Sequence, residues 1–137
     1  MAIVTGASSG IGKQIAKNLN RNGMEVYAVA RKVYQMNDLD DLGIHTRHLD
    51  VSDYDEIDRV VDEIAQETGR IDVLVNNAGL GVFGPAEEVN LAAGEYEFKV
   101  NVFGLMKMIQ AVLPYMRQQH SGGSSTCPQL TGRFTTC

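Results

Sequence analysis

A doubly wound α/β fold with a parallel sheet is what the sequence predicts, and three observations predict it. Short apolar runs alternate with segments whose apolar residues recur at helical spacing. The runs are apolar at successive positions, as in parallel strands covered on both faces. A glycine-rich turn joins the first run to the first helical segment.

That turn reads Thr5-Gly6-Ala7-Ser8-Ser9-Gly10-Ile11-Gly12. It follows Ala2-Ile3-Val4 and precedes the helical spacing of Ile11, Ile15, Ala16 and Leu19, so it is a strand-to-helix turn. Its three glycines let the backbone approach a bulky anion, and the free N–H groups of the helix start favour phosphate oxygens. The turn therefore reads as a pyrophosphate cradle, although a glycine-rich turn taken singly is also an ordinary tight turn. Five residues separate Gly6 from Gly12, and Lys13 precedes Gln14, which departs from the phosphate-loop NTPase spacing and disfavours phosphoryl transfer.

The first helix is expected to stop at Asn22-Gly23, and a second, largely apolar strand to span 24–30. Arg31 and Lys32 come next. In a dinucleotide fold an acidic residue near this point bonds the ribose 2′-hydroxyl, whereas a cation accommodates a 2′-phosphate, so NADP is favoured over NAD. Two solvated cations at a strand end is the plainer alternative. Val33, Met36, Leu39 and Leu42 predict a short covering helix that stops at Gly43, and 44–49 a third strand. Alternation puts His45 and His48 of that strand on opposite faces, which fits surface histidines better than metal ligands. Asp50-Val51 ends the strand, and Ser52 or Asp53 can cap the next helix. Its apolar face is Ile57, Val60, Val61 and Ile64, and Gly69 closes it.

Residues 71–75 form a fourth strand that runs into Asn76-Asn77-Ala78-Gly79. Parallel strands with right-handed crossovers bring the glycine turn, Asp50-Val51 and 76–79 to the carboxyl edge of the sheet, where such folds bind ligands. A glycine-rich loop, 80–85, leads to the longest helix, beginning near Leu91 or Tyr96 and ending near Gln119. Phe98, Val102, Met106, Ile109, Ala111 and Leu113 predict burial on more than one face, with a bend at Pro114. The methionines Met106, Met108 and Met116 read as gap-filling core or interface residues.

With 137 residues, 44% of them hydrophobic, the chain suffices for one domain with a sizeable core. A net charge of −5 gives no basic footprint for nucleic acid or an anionic membrane. The absence of a membrane-length apolar run or a signal-like start predicts a cytoplasmic protein. The two cysteines, Cys127 and Cys137, make neither a disulfide framework nor a metal spacing.

Taken together, residues 5–12, Asp50-Val51, Asn76-Asn77-Ala78-Gly79 and Asn101 within Val100-Asn101-Val102-Phe103-Gly104 resemble the short-chain dehydrogenase/reductase family, over nearly the whole chain to about Gly122. The resemblance implies a Rossmann-like fold and hydride transfer between a nicotinamide cofactor and a small carbonyl or alcohol. It implies pyrophosphate held by the turn, with Gly6, Ser8, Ser9, Gly10, Ile11 and Gly12 at the cofactor. It puts adenine against Asp50 and Val51, and the cofactor site against Asn77, Ala78 and Gly79. Asn101 would help to hold a water of the proton relay, and Arg31-Lys32 looks like the NADP-preferring members. The family's catalytic Ser and Tyr-x-x-x-Lys, in which Tyr is the general acid/base, have no counterpart: no Tyr follows Tyr115 and no Lys follows Lys107.

The expected strand order is therefore 3-2-1-4 with the fifth strand missing, the strand at 71–75 an exposed apolar edge prone to self-association, and 123–137 an irregular tail. Reading the third base of each codon from Gly122 with the first two of the next permits Arg, Ile or Val twice, Asn, Val, Ser, Ser and Ile. That run resembles the family's fifth strand and serine region, so a one-nucleotide frame slip after about Gly122 is expected. Without its Tyr and Lys the chain is expected to bind cofactor at most. A non-catalytic nucleotide-binding or interaction protein, pairing through the long helix with an intact relative or a second copy, is the alternative.

Overall fold

Residues 1–119 and the backbone of 133–136 are described by the computed structural model. Five parallel strands form one sheet in the order β3-β2-β1-β4-β5: β1 (Ala2–Thr5), β2 (Val26–Ala30), β3 (His45–His48), β4 (Val73–Asn76) and β5 (Arg133–Thr136). The helices are α1 (Gly10–Arg21), α2 (Asn37–Asp40), α3 (Tyr54–Thr68), α4 (Leu91–Phe98) and α5 (Leu105–Gln118). A 3₁₀ turn, Val33–Met36, precedes α2, and a π-helical turn, Lys99–Gly104, joins α4 to α5.

The pleat sends successive side chains of each central strand into two different cores. Ile3, Tyr27, Val29 and Leu74 meet Ile57, Val61 and Ile64 of α3 and Met108, Val112 and Met116 of α5. Val4, Val26, Ala28 and Val75 meet Ala16 of α1 together with Met36 and Leu39. All of β1 and β2 is buried, which accounts for sequences that are apolar apart from Thr5 and confirms the doubly wound class. The order 3-2-1-4 is observed.

A fifth strand is also observed, which corrects the expectation that it would be missing. β5 lies parallel to β4, with Phe134 opposite Leu74 and Thr136 opposite Asn76, so the edge expected to be bare carries a partner. The physical reason lies in both partners. After Pro128 and Gly132 come four residues free of Gly and Pro, with aromatic and β-branched types that suit a strand, and β4 offers them a row of unpaired backbone groups. Residues 120–132, and with them the frame-slip reading at 122–132, lie outside the described residues.

The long helix differs from its expectation too. Only one face is deeply buried, through Val100, Gly104, Met108, Val112 and Met116, while Phe98, Val102 and Met106 are exposed. Its irregularity is the π-helical turn at 99–104, and α5 runs through Pro114. Met36 and Leu39 are fully buried but Leu42 is exposed, so the covering segment splits into the 3₁₀ turn and the single turn of α2.

Candidate functional site

Every strand from β1 to β4 ends at one edge of the sheet, and the loops that follow enclose a cleft of about 550 Å³. That volume lies within the roughly 300–1,000 Å³ usual for ligand sites. Gly6, Ser8, Ser9, Gly10, Ile11, Arg31, Lys32, Asp50, Val51, Asn77, Ala78 and Gly79 all line it, so the structure gathers all but two of the sequence-derived candidates. Asn101 lines an adjoining cavity, which shares Asn77, Ala78 and Gly79 with the cleft. Gly12 lines neither. Ile11, assigned with the apolar face of α1, instead stands 66% exposed at the cleft.

The glycine turn is shaped from below by β4. Thr5 is buried, and its hydroxyl oxygen accepts hydrogen bonds from the backbone N–H of Asn77 at 3.0 Å and of Ala78 at 2.9 Å. The Asn77 amide in turn donates to the carbonyls of Gly6 at 3.1 Å and Thr5 at 3.3 Å. A Cβ on Gly6 would lie 2.8 Å from the Ala78 Cα, and one on Gly12 would lie 2.2 Å from the Asn77 amide nitrogen. Gly6 therefore lets the turn seat on the Ala78 backbone and Gly12 makes room for the Asn77 side chain, whereas Gly10 has open space around it. Sequence reasoning named Asn77 but missed Thr5; a hydroxyl at the carboxyl end of an otherwise apolar strand is the signal it left.

Above the turn, the α1 N-terminus is bare. Ser9 makes no side-chain cap bond, and the first turn of α1 carries no acidic residue. Its first N–H groups thus have no intrahelical acceptor and face the cleft with the helix dipole behind them. Across the cleft, Asp50 accepts bonds from the Ser52 N–H at 2.9 Å and hydroxyl at 2.8 Å, which fixes its carboxylate at the rim. Gly104 presses against the Val51 carbonyl, where a Cβ would be 2.4 Å away, so the π-helical turn forms the back of this wall.

The charges are sorted by position. Lys13 lies next to the glycine turn, but its ammonium is held away by Asp38 at 2.6 Å and the Gln35 carbonyl at 2.8 Å. Lys13 and Lys17, bonded to the Asp38 carboxyl, lower its pKa to about 2. Arg31 and Lys32 instead pair with no carboxylate among the described residues; Arg31 donates from Nη1 to the Tyr96 hydroxyl at 3.2 Å. The cleft therefore offers bare helix N–H groups and two unneutralised cations, a set of donors that fits a phosphorylated dinucleotide.

Asn101 is held by the loop that follows β4. Its side-chain oxygen accepts from the Leu80 N–H at 2.9 Å and its amide donates to the Leu80 carbonyl at 2.7 Å. The side chain thus clamps the loop after β4 at Leu80. The two histidines of β3 each sit at the sheet edge with one acid, His45 3.4 Å from Glu25 and His48 2.7 Å from Glu56. Among the described residues no three His, Cys, Asp or Glu side chains cluster as metal ligands, and no helix is long and apolar enough to cross a membrane.

The sheet order, the crossovers and the cleft at the carboxyl edge define a Rossmann-like α/β protein. The chain belongs to the short chain dehydrogenase family, whose sequence profile matches residues 1–124. It is 37% identical over 121 residues to a 3-ketodihydrosphingosine reductase from Bacteroides thetaiotaomicron, a match covering 88% of this chain and 43% of that protein. Among solved structures, a short-chain dehydrogenase from Streptomyces avermitilis superposes with a TM-score of 0.83 at 38% identity, covering 88% of this chain and 46% of the other. An alcohol dehydrogenase from the archaeon Thermococcus sibiricus, complexed with 5-hydroxy-NADP, gives 0.78 at 31% identity, over 85% and 53%. The chain spans about half the length of the relatives it matches.

Proposed function

We propose that the chain is the cofactor half of an NADP(H)-dependent oxidoreductase acting on a small carbonyl or alcohol. The family binds nicotinamide dinucleotides, and the preference for the 2′-phosphorylated form rests on one observation: Arg31 and Lys32 line the cleft at the end of β2 with no carboxylate partner among the described residues. An NAD site would place an acid there for the ribose 2′-hydroxyl. The relative crystallised with 5-hydroxy-NADP supports the same choice.

The bound cofactor supplies or accepts the hydride. This chain's residues do the holding: the N–H groups of the α1 start take pyrophosphate oxygens, Asp50 and Val51 flank the adenine, and Asn77 to Gly79 carry the floor towards the second cavity, where Asn101 fixes the loop at Leu80. Proton transfer to the substrate oxygen requires a positioned acid, and the Tyr-x-x-x-Lys that supplies it in the family does not occur in this sequence. We assign turnover to a chain that includes that pair, read in the shifted frame after about Gly122. The nucleotide sequence tests this part by itself: a shifted frame that fails to continue into Tyr-x-x-x-Lys rejects it.

Thermal unfolding of the 137-residue chain with increasing NADPH or NADH tests the cofactor assignment. A ligand that binds only the folded state raises the midpoint, by the equivalent of about 2.7 kcal/mol at a hundred times its Kd. The expected result is a larger rise with NADPH than with NADH at equal concentration. No rise with either nucleotide would reject the cofactor role.

A further inference from the structure

Tyr96 lies on α4, away from every motif that the family resemblance uses, yet its hydroxyl accepts a bond at 3.2 Å from Arg31, which lines the cleft. Four residues further along the helix, on the same face, Val100 is buried and lines the cleft. Tyr96 is thus joined to the cleft through Arg31, the residue that follows β2. We propose that Tyr96 is a positioning residue for 2′-phosphate recognition, which holds the Arg31 guanidinium in the orientation that grips the phosphate. This inference rests on the NADP(H) reading above.

The argument is geometric. Arginine has many rotamers, and an exposed one loses that freedom when it binds an anion. Fixing it beforehand removes part of the cost of binding. The bond to Tyr96 uses Nη1, which lies on the far side of the guanidinium from the Nε–H. It leaves the side-on edge, Nε with Nη2, free to form two parallel bonds to a phosphate dianion. Lys32 has no anchor among the described residues and no fork, so it adds charge without direction. NADH lacks the 2′-phosphate, and nothing in its binding depends on this bond.

Dissociation constants for NADPH and NADH, measured by nucleotide fluorescence on the 137-residue chain, test the proposal through Tyr96→Phe alone and combined with Arg31→Ala. Tyr96→Phe removes one exposed hydroxyl, keeps the ring and leaves the net charge unchanged. The expected result is a loss of NADPH affinity of roughly three- to tenfold, the size of one net hydrogen bond, with NADH altered less than about twofold. In the Arg31→Ala background the same substitution should have no further effect, because the residue acts through Arg31. Equal loss for both nucleotides, no loss at all, or a full loss that persists without Arg31 would each overturn the proposal. Arg31→Lys gives a second route should Tyr96→Phe fail to fold. It keeps the charge and loses the fork, so undiminished NADPH affinity in that variant also overturns the proposal. A wild-type chain that binds NADPH no better than NADH refutes the underlying reading before any variant is made. A wild type that prefers NADPH while Tyr96→Phe is silent refutes the role of Tyr96 alone.

Discussion

Two helices of this chain begin in opposite ways. At α3, the Asp53 carboxylate accepts the Glu56 N–H at 3.1 Å, and Asp55 and Glu56 place two acids in the first turn. At α1, Ser9 makes no cap bond and the first turn holds no acid. Both helices pack on the sheet, and both end at a residue suited to a stop. The difference teaches that α3 uses its N-terminal dipole for its own stability, whereas α1 leaves the same groups open to an anion in the cleft.

The harshest way to break this arrangement is at a glycine. In Gly12→Ala the new Cβ would lie 2.2 Å from the Asn77 amide nitrogen and 2.6 Å from the Gly6 carbonyl oxygen. The second of these contacts is backbone, so the turn itself must move. The expected cost is about 1–3 kcal/mol of stability in urea unfolding, with NADPH affinity lost as the turn shifts. Gly69, which ends α3, has a φ of 70° and open space around its α-carbon, so Gly69→Ala meets only backbone strain. Its expected cost is about 1 kcal/mol, with nucleotide binding intact. Equal losses of nucleotide affinity in the two variants would contradict the role given to the α1 turn.

Exchanging the caps sharpens the contrast. Ser9→Asp gives α1 the acid that α3 already has, and is expected to stabilise the free chain by about 0.5–1 kcal/mol. It also places a carboxylate where pyrophosphate would bind, so NADPH affinity should fall roughly tenfold or more. Asp53→Ala should do the reverse, costing about 1 kcal/mol in stability while leaving NADPH affinity unchanged. Melting curves and titrations on the same two variants give all four numbers. If Ser9→Asp retains its NADPH affinity, the bare α1 start is not an anion site.

This asymmetry was legible in the sequence because it is local. Ser8-Ser9-Gly10 and Ser52-Asp53 are each read within one turn of a helix, as are the stops at Asn22-Gly23 and Gly69. The apolar strands were legible too, since burial on both faces leaves an unbroken run. What escaped depends on partners far along the chain. Thr5 gains its meaning from Asn77 and Ala78, the π-helical turn from Gly104 against Val51 and Asn101 against Leu80, and Tyr96 from Arg31. β5 is four residues long and borrows its order from β4, so no period within 133–136 announces it. Phe98, Val102 and Met106 misled in the other direction, because apolar type says nothing of which helix face has a neighbour.

The smallest expected effects lie at the tethers that hold the two helices, and they appear at opposite ends of the pH scale. On the α1 side, Lys13 and Lys17 bond the Asp38 carboxyl and lower its pKa from 3.8 to about 2. The folded state binds this proton less readily than the unfolded state, so the contribution is complete above about pH 4 and disappears as pH falls towards 2. On the α3 side, burial and the 2.9 Å bond to Glu67 raise the Tyr27 phenol from 10.0 to about 12. Here the folded state keeps its proton longer, so stability falls as pH rises from 10 towards 12. Urea midpoints followed across pH in Asp38→Asn and Tyr27→Phe should each lose one limb and keep the other. Asp38→Asn flattens part of the acid limb between pH 4 and 2, and Tyr27→Phe part of the alkaline limb above pH 10. A variant that changed both limbs would show that the two tethers are coupled through the sheet, and that α1 and α3 are not anchored independently.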